Sequence, residues 1–160
     1  MARRINIVVI EVAVLALWLG AALFFAAAVA PALFAALPTR TLAGVVVGRL
    51  LPSLLFAGLT VGAFVAALEL LTSGAGWNRL RFGSGVVIAG ACAIAQFGVM
   101  PRIERLRAAI AGPLESLSPD DPRRIEFGRL HGWSVAWLGL AMLAAVVALV
   151  ASARTLQSRS

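Results

Sequence analysis

Long apolar runs, broken in three places by short polar stretches, make up most of this chain. Four stretches carry no formal charge, taking the single histidine as neutral. They run 28 residues from Val12 to Thr39, 19 from Leu50 to Leu68, 20 from Phe82 to Pro101 and 24 from Leu130 to Ala153. An α-helix rises about 1.5 Å per residue, so roughly 20 residues cross a hydrocarbon core about 30 Å thick. Every run passes that test. In lipid the backbone N–H and C=O groups must be satisfied inside the segment, so each run is expected to be helical. The pattern predicts a single domain, residues 1–160, with helices over roughly 7–36, 44–71, 83–101 and 123–153. The predicted fold class is an all-α membrane protein, a four-transmembrane-helix bundle with an amphipathic segment between helices 3 and 4. Four passes place both termini on one side.

The first run has a basic start at Arg3 and Arg4, and Ala28-Val29-Ala30 resembles a signal-peptidase site. Its apolar stretch exceeds the roughly 7–15 residues of a signal-peptide core, and Pro31 directly follows the candidate site, where it hinders cleavage. The expectation is an uncleaved helix. Pro52 falls one turn inside helix 2, where a kink is expected. Trp77 and Trp133 suit membrane–water boundaries.

The third loop, 102–129, is the most polar part of the chain. Ile103, Leu106 and Ile110 recur at spacings of three and four while Arg102, Glu104, Arg105 and Arg107 fill other faces, which predicts an interfacial helix over roughly 102–111. Gly112-Pro113 should end it, and Ser118 or Asp121 should cap the last helix ahead of Pro122. Two GxxxG spacings, Gly44/Gly48 and Gly58/Gly62, allow close helix approach within the chain or in a homo-oligomer.

Composition agrees with the bilayer as the main partner. The hydrophobic share is 61% and the charged share 13%, too few charges to keep so much apolar surface in water. The net charge is +7, carried by 14 arginines and no lysine. Without a long polar segment to form a binding face, nucleic acid is excluded as a partner, and the arginines are expected to flank membrane segments. They divide six against eight between the two sides, a balance that sets no orientation. Arginine at every basic position, with abundant alanine, suggests a GC-rich bacterial genome; the expected location is a membrane, crossed several times, and in a bacterium the inner one. Cys92 is the lone cysteine and is expected to pack as a small hydrophobe.

Antiparallel threading sorts the intramembrane polar groups by depth. One end collects Glu11, Glu69, Arg79, Arg81 and Ser84, where an arginine would neutralise the two carboxylates. The other collects Arg49, Gln96, Met100, His131 and Ser134. His131 and Ser134 share a helix face at spacing three. Arg49, Gln96, His131 and Ser134 form the candidate polar cluster, an anion, headgroup or proton site. Cys92 and Met100, or His131 and Met142, lie about 12–16 Å apart along their helices, too far for one closed metal site. No metal or other cofactor is expected. His131 and Ser134 lack an acid to orient the imidazole, and no Gly-x-Ser-x-Gly elbow occurs, so no catalytic residue is assigned and no enzyme is expected.

Three stretches together resemble a known family. They are Trp18-Leu19-Gly20 through Pro38, Ala43-Gly44 through Gly48-Arg49-Leu50-Leu51-Pro52, and Phe127-Gly128-Arg129-Leu130-His131-Gly132-Trp133-Ser134 with Pro101-Arg102-Ile103 upstream. Their order and spacing resemble the bacterial membrane family called domain of unknown function 4149, itself similar to the transmembrane protein 205 family. The resemblance implies a four-helix membrane fold and no established activity. The layout is more distantly similar to copper-resistance membrane proteins of the CopD type, without their multiple histidines. The expected role is a non-enzymatic structural or interaction component. The alternative is transport or binding of a small solute or metal on the Arg49/His131 side.

Overall fold

Each apolar run forms a helix in the computed structural model, which describes residues 2–71, 78–110 and 112–157, with side chains from residue 7 onward. Trp77 lies outside the described residues. The order is α1 (Ala2–Phe24), a π-helical turn (Phe25–Val29), α2 (Ala30–Ala36), α3 (Arg40–Leu71), α4 (Arg79–Ala93), a second π-helical turn (Ile94–Val99), α5 (Met100–Ala108), a 3-10 turn (Leu114–Ser116) and α6 (Pro122–Gln157). Four stretches are long and apolar enough to cross a membrane: Ile7–Ala36, Arg40–Leu71, Arg79–Ala108 and Pro122–Gln157. Among the described residues there is no strand.

Prolines and caps set the details. Both π turns run into a proline at the start of the next helix, Pro31 or Pro101. Proline has no N–H and its ring presses on the preceding turn, so the backbone widens there. Ala30 N–H accordingly donates to Phe25 O and Met100 N–H to Ala95 O, five residues back. The amphipathic stretch is thus a continuation of the third span through a π turn. Its described helix ends at Ala108, before Gly112-Pro113. Pro52 lies inside α3, which runs on past it to Leu71. α3 starts at Arg40, four residues earlier than its sequence pattern suggests, because Thr39 Oγ1 accepts from Leu42 N–H at 3.1 Å. Asn78 caps α4, accepting from Leu80 N–H at 2.9 Å and Arg81 N–H at 3.3 Å. Asp121 caps α6, accepting from Arg123 N–H at 2.8 Å.

The helices form a ring in which α3 packs on α4, α4 on α6, α6 on α1 and α1 on α3. Along α6, burial is the reverse of that in a water-soluble bundle. On α6 the buried residues include Ala141, Ala144, Ala145, Ala148 and Ser152, while Leu143, Val146, Val147 and Val150 face outward. Small residues inside let helices approach, and large apolar ones outside meet lipid tails, which are as apolar as they are. The closest approach is α3 on α4. A Cβ at Gly62 would lie 2.5 Å from Ala89 N, and one at Gly85 would lie 2.8 Å from Gly62 O. Gly58 faces Trp18 of α1 and Cys92 of α4, and Trp18 Nε1 donates to Leu54 O at 3.0 Å. Both GxxxG pairs are therefore used within the chain: Gly44 and Gly48, the other pair, lie against Arg107.

Candidate functional site

Each helix buries a stripe at spacings of three and four, and three of the four stripes carry an ionisable residue at the end nearer the termini. On α1 the stripe is Val8, Glu11, Leu15, Trp18 and Ala22. On α3 it ends at Val65 and Glu69, and on α4 it begins at Arg81 and Ser84. Ser152 holds the equivalent place on α6. Arg81 therefore projects between two carboxylates. Its Nη2 pairs closely with Glu69 Oε1, and its Nη1 stands 3.8 Å from Glu11 Oε2. Ser152 Oγ donates to Glu11 Oε1 at 3.0 Å, and the Asn78 backbone N–H donates to Glu69 Oε2 at 3.0 Å. All three charged side chains are at most 4% exposed. Removed from water, such charges persist only when paired, so this cluster ties all four helices together. Arg79, expected at the same depth, is exposed, and it is Arg81 that neutralises the acids.

The opposite end is hollow. A cavity of about 670 Å³ lies among the end of the first span, the start of α3, α5, the 112–115 turn and the start of α6. Its wall is mostly apolar, including Phe25, Leu51, Met100, Phe127 and Leu138, with an open face at Phe34, His131 and Val135. Arg107 reaches into it from α5. The guanidinium fits against the glycine groove of α3: Nη2 lies 2.8 Å from where a Cβ at Gly44 would stand, and Nη1 2.9 Å from one at Gly48. Phe127 covers it, with its ring centroid 5.3 Å from Cζ, a cation–π contact.

A polar turn closes the cavity's outer side. Glu115 accepts from Thr41 N–H at 2.8 Å and from Thr41 Oγ1, and Thr41 Oγ1 accepts from Leu114 N–H at 2.9 Å. Arg124 Nη1 donates to Leu117 O at 2.9 Å. The Thr41 hydroxyl first, and backbone N–H groups after it, hold the exposed Glu115 carboxyl below its usual range. Arg123, through its guanidinium and then its N–H, brings Asp121 down to about 2. A depressed folded-state value stabilises above the unfolded value, and that contribution is lost as pH falls through the folded one. On acidification, the Arg123 amide should therefore lose protection from hydrogen exchange between pH 3.8 and about 2, and the Thr41 amide below the ordinary glutamate range. Hydrogen exchange followed by mass spectrometry measures both.

Of the four residues of the sequence-derived cluster, two meet at this cavity. His131 lies at its open face, its ring parallel to that of Phe127 with centroids 6.5 Å apart, and Ser134 is buried one turn further in. Arg49 is exposed and off the wall. One residue beyond Gly48, it is turned about 100° around the helix from the glycine groove. Gln96 lies in the second π turn, also off the wall, and its Oε1 is buried without a hydrogen-bond partner among the described residues. Met100 lines the cavity. The cavity's central cation is instead Arg107, which sequence reasoning assigned to a polar face. The signal was available, since Ile103, Arg107 and Ile110 share one stripe at spacings of four and three. Among the described residues, no group of three or more His, Cys, Asp or Glu is placed to hold a metal ion.

Residues 13–111 match the family described as a domain of unknown function, DUF4149. The chain belongs to that family. The matched DUF4149 span contains Gly44, Gly48 and Arg107 of the cavity and Glu69 and Arg81 of the ion cluster. Glu11, His131, Ser134 and Ser152 lie outside it. No curated protein and no solved structure matches the chain.

Proposed function

We propose that this multi-pass membrane protein is a non-enzymatic component of a bacterial inner membrane that binds a small membrane-soluble molecule in the cavity at its His131 end. The observation that carries the reading is the cavity itself. Its volume of about 670 Å³ falls within the roughly 300–1,000 Å³ of small-molecule sites, and an apolar wall with few polar groups is how such sites are built. The bacterial assignment rests on arginine at every basic position. A binding role is favoured over catalysis because His131 stacks on Phe127 and, among the described residues, has no hydrogen-bonded acid to orient it. It is favoured over permeation because Leu15, Leu55, Val65, Ile88 and Cys92, all at most 1% exposed, fill the bundle between the two polar ends.

Gly128 offers a direct test. It lines the cavity, and a Cβ there would meet nothing within 4 Å. Gly128→Trp should fill the space while leaving the fold intact. Native mass spectrometry of protein extracted in mild detergent should show small molecules retained by the wild type and lost from Gly128→Trp. Equal retention by both would refute the cavity as the binding site.

A further inference from the structure

We infer that the cavity takes an anionic amphiphile, with Arg107 holding a phosphate or carboxylate head and the apolar wall taking the hydrocarbon tail. This rests on the cavity being a ligand site and adds the ligand's charge and shape.

A guanidinium carries five N–H donors and no acceptor. Arg107 is half-buried under the face of Phe127, and Glu104, exposed and one turn back on α5, attracts it only from beyond ion-pair distance. Among the described residues no carboxylate comes within ion-pair distance of it. Glu115, the acid on the same wall, has both oxygens engaged by Thr41. A charge next to lipid is costly unless matched, so this arrangement favours a ligand that brings an anion. The wall as a whole has the same sign, with Arg40, Arg107 and Arg124 against Glu115.

The groove that receives the guanidinium is specific. Gly44 and Gly48 leave space for its two terminal nitrogens, a fit that fixes the position of the charge on the cavity wall. Beyond it the lining turns apolar, at Leu51, Met100 and Leu138, and has room for a chain. A lipid head and a free anion share the head chemistry. The tail distinguishes them.

The test uses the full chain in neutral maltoside detergent, with binding followed by native mass spectrometry. The probes are lysophosphatidylglycerol (anionic head), lysophosphatidylcholine (no net charge) and inorganic phosphate alone. One lysophosphatidylglycerol per chain should bind about tenfold more tightly than lysophosphatidylcholine, roughly the effect of one charge-assisted contact. Arg107→Gln should erase that preference while retaining lysophosphatidylcholine, which also shows that the variant is folded. If Arg107→Gln does not fold, Gly44→Val, which occupies the guanidinium's place, should erase the preference in its stead. Equal affinity of the wild type for both lipids would overturn the anion assignment yet leave the cavity a ligand site. Binding of neither lipid would overturn both. Phosphate displacing lysophosphatidylglycerol at matching concentration would overturn the tail, and a preference that survives Arg107→Gln would overturn the role of Arg107.

Discussion

Arg81→Met is expected to cost the bundle about 3–5 kcal/mol, the usual effect of removing one partner from a buried ion pair. The side chain stands between Glu11 and Glu69, and all three groups are shielded from water. Methionine matches much of the arginine stem but supplies no charge. Two carboxylates are then left facing each other, with Ser152 and the Asn78 amide as their remaining donors. Domain stabilities are typically about 5–15 kcal/mol, so a loss of this size should lower the thermal midpoint in detergent substantially. The decisive comparison is the triple variant Arg81→Met, Glu11→Gln, Glu69→Gln. It removes the stranded charges along with their partner and should recover most of the loss. If the triple variant is no more stable than Arg81→Met alone, the cost lies in packing and the electrostatic account fails.

The second large effect is expected at the α3–α4 crossing. Gly62→Val places a branched side chain where Ala89 N and Gly85 O already lie 2.5 and 2.7 Å from the position of a Cβ. Those neighbours are backbone and have no rotamer to change, so the two helices must separate. The cost should reach or exceed the roughly 1–3 kcal/mol of ordinary overpacking. Separation would also pull Glu69 away from Arg81, because each sits on the stripe of a different one of these helices. Gly90 is the control. It lies on α4, exposed, with nothing within 4 Å of a Cβ, and Gly90→Val should leave the thermal midpoint close to wild type. Size-exclusion profiles and thermal unfolding of the two variants in the same detergent make the comparison. Equal behaviour would show that the crossing tolerates spreading.

Length and hydropathy alone determined the four spanning helices, since both are properties of a local stretch and lipid admits few other backbone arrangements. The depth of the polar groups was legible too. Glu11, Glu69 and Arg81 lie at equivalent distances from the span ends, and antiparallel threading brings them level. What the sequence left open was azimuth. A step of one residue turns a side chain about 100° around the helix, and hydropathy in a chain apolar on every face does not say which side turns inward. Only the packing of the ring decided that Arg107 fills the groove at Gly44 and Gly48 while Arg49 faces out, and that Arg81 rather than Arg79 enters the bundle. Packing likewise committed the Gly58/Gly62 pair to contacts inside the chain. The continuity of the third span with α5 depended on a π turn ahead of Pro101, where the sequence pattern predicted a separate interfacial helix. The cavity itself depends on how five separate segments converge at one end, a long-range arrangement that no local pattern encodes.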